Sequence, residues 1–218
     1  MSSTIDDRPA VRAQPTDAAV PPASPAGSWG NSAPLALAAF AVTTFMLSMV
    51  NGDLVNAAVL PVVFGVALMF GGITQLIAGV IQLRVGNTFG GVLFSSFGAF
   101  WMSLFAIVTY FLKSVPPAQV GHALGLYLFA FGILTVWMWL ASFRTNLVVV
   151  IALFLLIATF FILGAGNYDA TTGLVHAGGY LGLVVAALAG YLSCAEVCEA
   201  SYGRWVLPVW SLAKKAAR

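Results

Sequence analysis

From residue 34 onward the chain alternates long apolar runs with short polar breaks, the runs covering 34–51, 57–83, 88–112, 120–143, 147–165 and 173–200. Each is long enough to cross a hydrocarbon core of about 30 Å at about 1.5 Å per residue, so six transmembrane helices are expected. The second and sixth exceed the minimum, which implies tilt or extension into the headgroups. Pro61, near the start of the second run, suits a first helical turn or a kink. The window from Met69 to Trp101 organises the rest. Two glycine-rich runs meet there at a turn holding Arg84, Gly86 and Asn87, with Arg84 the only charge, as in a membrane hairpin.

The flanks read differently. Residues 1–33 are rich in Pro, Ala, Ser and Asp and have no apolar core, the composition of a disordered cytoplasmic tail. They also lack the basic start and apolar run of a secretory signal, so the first helix is expected to stay in the membrane. The organisation expected is a tail over 1–33, an all-α six-helix pore domain over 34–200 and a basic cytoplasmic segment over 201–218. At 61% hydrophobic and 7% charged, against roughly 25% charged in soluble domains, the chain is an integral membrane protein. Its net charge of +2 is too small to indicate a nucleic-acid partner.

Basic residues set the orientation. With the N-terminus cytoplasmic, Arg8, Arg12, Arg84, Arg144, Arg204, Lys214, Lys215 and Arg218 lie inside and only Lys113 lies outside. Both termini are therefore expected in the cytoplasm, with the protein in the plasma (inner) membrane. Tyr110 and Tyr168 then fall at the outer interface, and Trp29, Tyr202, Trp205 and Trp210 at the inner one.

Small residues predict helix contacts. Gly65, Gly72 and Gly79 recur every seven residues, and Gly178, Gly182, Ala186 and Gly190 every four, so each set is expected to line one packed face. Cys194 and Cys198, at i, i+4, match no zinc or redox spacing and read as buried packing residues.

The inventory for catalysis is poor. His122 and His176 are isolated near outer helix ends, no lysine lies within a run to form a retinal Schiff base, and no catalytic dyad, metal-ligand set or cofactor motif is present, so no enzyme is expected. Glu196 and Glu199 share a face at i, i+3. With His176 they are the candidates for a proton or polar relay, and an interfacial pairing with Arg204 is the equal alternative. What remains is a set of neutral polar groups: Asn31, Asn51, Gln75 and Asn87, with the hydroxyls of Thr43, Thr44, Ser95 and Ser96. Uncharged amides, hydroxyls and helix ends can hold a small carboxylate weakly enough to release it, so these residues are the candidate substrate pathway. On physical grounds alone an ammonium or water path remains open.

Three stretches resemble the acetate uptake transporter family. They are NSAPLALAAFAVTTF at Asn31, GGITQLIAG followed by GNTFGGVLFSSFGAFW, and AGGYLGL leading to AEV and YGRWVLP, together spanning nearly all of residues 31–209. The resemblance implies a hexamer in which each six-helix protomer carries its own pore for acetate and, in some members, succinate. Uptake is expected to be proton-assisted, with an anion channel as the alternative mechanism. The family's constriction of Phe, Tyr and Leu falls on Phe40, Phe97 and Leu156, so a phenol is replaced by a plain ring and the gate is expected to be wholly apolar. Ser32 stands where the family has proline, and a looser start to the first helix is expected. A sensor or scaffold whose tail binds a partner is the alternative function.

Overall fold

The computed structural model describes residues 29–212. The chain divides into residues 1–30 and a helical unit, Asn31–Arg218, which holds every described helix. Six helices are long and apolar enough to cross a membrane: α1 (Ala33–Asn51), α2 (Ala57–Arg84), α3 (Thr88–Ser114), α4 (Pro117–Ser142), α5 (Leu147–Tyr168) and α6 (Thr172–Tyr202). They match the six apolar runs one for one. Residues 1–28 of the expected tail, and Lys214, Lys215 and Arg218, lie outside the described residues. Asn31 to Ala33 belong to the helical unit and not to the tail.

The polar breaks carry the capping chemistry. Asn87 accepts from the Gly90 N–H at 3.0 Å to start α3, and Asn146 from the Val149 N–H at 3.0 Å to start α5. Gly86, at φ +84°, lets the chain reverse between α2 and α3, a conformation that glycine adopts without steric cost. Pro61 falls in the first turn of the α-helical part of α2, just after a 3-10 turn over Ala57–Val59.

Neighbouring helices pack in the order α1, α6, α5, α4, α3, α2 and back to α1, the α3–α4 contact being among the thinnest. α1 is the most enclosed, and α2 and α4 the least. The four-residue stripe on α6 does line a packed face: a Cβ on Gly182 would overlap Ser48 Oγ, and one on Gly178 would overlap Leu163. The seven-residue stripe on α2 does not hold throughout. Gly72 and Gly79 press against Met102 and Ser95 of α3, but Gly65 faces open space. The reason is a π-helical stretch, Ala67–Thr74, whose wider turns rotate one half of α2 relative to the other. A second π-helical stretch, Ile107–Phe111, interrupts α3.

Two further expectations change. Cys194 is exposed and Cys198 half-buried on the outer side of α6, so neither is a core residue; their i, i+4 spacing puts both on the face turned away from α1 and α5. The segment after Gly203 folds back onto the helices. Trp210 accepts from the Leu147 N–H at 3.0 Å, the Leu212 N–H donates to Thr145 at 2.9 Å, and Val209 is buried against Val148, Leu192 and Ala195. This strap fixes the turn between α4 and α5.

Candidate functional site: two cavities and an aromatic septum

Among the described residues, two part-open cavities lie within the helix ring. The larger, about 180 Å³, lies toward the N-terminal end of α1 and is lined by α1, α2, α3, the α4–α5 turn, α5 and α6. The smaller, about 40 Å³, lies toward the other end of α1 and is lined by α1, α3 and α5. A buried water needs about 10–15 Å³ of such space, so each has room for more than one water.

Phe40 and Leu156 line both cavities, and Phe97 lines the larger, so these three meet at the septum between them. All are buried. Phe97 meets Phe40 edge-on at 5.4 Å and stacks on Phe160 at 6.2 Å, and Trp101 meets Phe40 edge-on at 6.4 Å. Such contacts hold rings in fixed orientations, each worth about 0.5–1.5 kcal/mol beyond area burial. Three helices each contribute a ring or branched side chain at the same depth.

Polar atoms without partners flank this septum. Gln75 lines the larger cavity, and its buried Oε1 has no protein partner. Thr44 Oγ1 and Trp101 Nε1 are likewise buried and unpaired, and both residues line the smaller cavity. A buried polar atom left unpaired costs about 1–3 kcal/mol, a cost that a passing hydrated or hydrogen-bonding solute removes. Gln75 follows directly on the π-helical stretch of α2, a distortion often found at functional positions.

At the mouth of the larger cavity the start of α1 is tied to three other helices. Gln82 of α2 is fully buried; one arm of its amide lies 3.0 Å from Asn31 Oδ1 and 2.9 Å from Ser32 Oγ, and its oxygen accepts from Asn87 Nδ2 at 2.6 Å. The arm facing α1 also lies 3.2 and 3.1 Å from the backbone nitrogens of Ser32 and Ala33, so the amide turned over would cap α1 instead. Either orientation joins α2 to the starts of α1 and α3. Ser32 Oγ donates to the Ala78 carbonyl at 2.8 Å, and Asn31 Nδ2 donates to Glu196 at 3.2 Å. Ser32 therefore anchors the start of α1, contrary to the loosening expected from losing proline, because its hydroxyl reaches a carbonyl on α2.

The sequence-derived candidates divide clearly. Phe40, Phe97, Leu156, Gln75, Asn87 and Glu196 line the larger cavity, and Thr44 and Asn51 the smaller. Asn31 reaches the mouth through Glu196. Thr43 turns back to donate to the Ala39 carbonyl, and neither it nor Ser95, Ser96, His176 or Glu199 lines either cavity. Among the described residues Glu196 forms no ion pair with Arg204, which is exposed. His122 bonds Gln119 and packs on Tyr168, a structural placement. Sequence reasoning missed Gln82, Trp101 and Phe160. An amide two residues before the turn's only arginine was the available sign of Gln82, whereas Trp101 and Phe160 look like ordinary membrane aromatics.

A profile of the GPR1/FUN34/yaaH family matches residues 14–214. The chain is 34% identical over 179 residues to the succinate-acetate/proton symporter SatP of Escherichia coli K12, covering 82% of this chain and 94% of that protein. It is 31% identical over 212 residues to acetate permease A of Emericella nidulans, covering 88% and 71%. To ammonia transport outward protein 2 of Saccharomyces cerevisiae it is 36% identical over 179 residues, covering 80% and 64%. The chain spans a little under two thirds of the two yeast relatives it matches. The solved structure of the bacterial acetate channel SatP aligns with a TM-score of 0.77 at 34% identity, over 84% of this chain and 99% of that one.

Proposed function

This chain belongs to the GPR1/FUN34/yaaH family, and from that premise we propose that it is a permease for acetate and related short carboxylates, succinate among them, taken up with a proton through a pore in each protomer. The observation that carries this reading is the pair of cavities divided by Phe40, Phe97 and Leu156, with unpaired polar atoms on both sides. A small solute can hydrogen-bond to Gln75, cross an apolar septum that excludes a continuous water column, and bond again at Thr44 and Trp101. Asn87 and Asn51 continue the path toward its two ends. The proton travels most simply on the substrate, since a protonated acid crosses an apolar barrier without the cost of a bare charge.

The same reading places both termini in the cytoplasm and the protein in the plasma (inner) membrane, on the excess of Arg and Lys in the inward segments. It takes the assembly as a hexamer, with the N-terminal tail outside the pore domain and the segment after Gly203 strapped against it. The test is uptake of labelled acetate into proteoliposomes under an imposed inward proton gradient or an inside-positive potential. Uptake driven by the proton gradient, above the leak into empty liposomes, is expected. Uptake pulled by voltage alone would make the protein an anion channel. No uptake of any short carboxylate would remove the permease reading in favour of a sensor or scaffold.

A further inference from the structure

Among the described residues, Glu196 is the one charged side chain lining the larger cavity, and the others that line it are neutral. It sits where α6 faces the start of α1. Its carboxylate is half-buried and accepts one hydrogen bond, from Asn31 Nδ2 at 3.2 Å. Asn31 is itself held, its Oδ1 accepting from the Ala33 N–H at 3.0 Å. The carboxylate is thus aimed across the mouth from α6 to α1.

No described cation pairs with it. Among the described residues Glu196 forms no ion pair, and Arg84, Arg144 and Arg204 are all exposed at the ends of their helices. Asn31, at the start of α1, bonds to it, and the polar residues that share the cavity lining, Gln75, Asn87, Thr145 and Asn146, are all neutral. Among the described residues, Glu199 lies a helical turn further along α6 and carries a charge of the same sign. A pore built to conduct carboxylate anions would place cations or bare donors at this position. Here the fixed charge has the sign of the ionised substrate.

We infer that Glu196 is a charge filter at the cavity mouth, barring carboxylate anions while it is ionised and admitting the neutral acid. The inference rests on the reading of this site as a carboxylate path, and it gives that path its proton requirement without a separate proton relay. Two like charges about 10 Å apart at the partly hydrated mouth repel enough to lower anion occupancy roughly tenfold. A protonated acid is indifferent to the same charge. Asn31 then has a positioning role, holding the carboxylate over the opening.

The experiment compares wild type, Glu196→Gln and Glu196→Asp in proteoliposomes, measuring labelled acetate uptake from pH 5 to pH 8 with and without an inside-positive potential. Glutamine keeps the shape and an acceptor for Asn31 while removing the charge. Wild-type uptake is expected to fall with the neutral-acid fraction as pH rises and to ignore voltage. Glu196→Gln should raise uptake at pH 7 by roughly tenfold, flatten the pH profile and make uptake respond to voltage. Glu196→Asp should restore voltage insensitivity. A gain of anion flux is not what structural damage produces, and Glu196→Ala repeats the test if the glutamine variant does not reach the membrane. An unchanged pH profile in Glu196→Gln, or an equal loss of uptake at every pH, overturns the filter, as does voltage-driven uptake in wild type. Wild type with no uptake above empty liposomes overturns the permease reading itself, and the filter with it.

Discussion

At the scale of single residues, the septum and its unpaired neighbours have opposite sensitivities. Phe97 is buried between Phe40 and Phe160. Phe97→Tyr adds a donor and acceptor at the septum between the two cavities, and on the proposed function the ratio of acetate to propionate and lactate uptake is expected to shift. Identical ratios in competition assays would show that this ring plays no part in selection. Gln75 offers a sharper contrast because its buried carbonyl has no protein partner. Gln75→Leu conserves volume and removes the unsatisfied group, so thermal stability in detergent should hold or rise by about 1–3 kcal/mol while acetate uptake falls. A core residue with no role in transport would show the gain in stability without the selective loss. Of these residues, Gln75 was legible from the sequence as an amide alone in an apolar run. Trp101 was not, because an indole in a membrane helix is unremarkable until its N–H is seen to lack an acceptor beside a cavity.

At the scale of elements, hydropathy alone located the six helices because each must fill about the same thickness of hydrocarbon. What it could not show was how one helix turns. The heptad of Gly65, Gly72 and Gly79 predicts a single face, yet π-helical turns over Ala67–Thr74 leave Gly65 outside the contact that the other two make. Nor does periodicity bring Phe40, Phe97 and Leu156 together, since their meeting depends on the order of helices around the ring; only the resemblance carried them. The glycine contrast is directly testable. A Cβ on Gly79 would stand 2.5 Å from the Ser95 backbone nitrogen, so Gly79→Ala must part α2 from α3 and is expected to cost about 1–3 kcal/mol. Gly65 has no atom within 4 Å for a Cβ to meet, and Gly65→Ala should leave the melting temperature of the isolated protomer unchanged or raise it slightly. Equal melting losses in the two variants would mean that α2 is continuous α-helix and that the heptad face is intact.

At the scale of the whole molecule, the outward surface is apolar on every side that a membrane would cover. Leu126, Ile133, Trp137 and Leu140 form one exposed stripe on α4, and Val62, Met69, Ile77 and Val80 are exposed along α2. Lipid satisfies such faces as well as a neighbouring protomer does, so association in the membrane must come from close fit at small residues. Gly65, exposed between Val62 and Met69, is a gap of that kind on α2. Gly65→Trp would fill it, and if α2 lies at the contact between protomers the variant should lose the hexameric mass expected of wild type in detergent. The cavities, however, lie among the helices of one chain. On the proposed path, uptake per protomer in the dissociated variant should therefore persist, because residues of a single chain line both cavities. Uptake that vanished in step with dissociation would place the path at the centre of the ring and deprive the septum of its role.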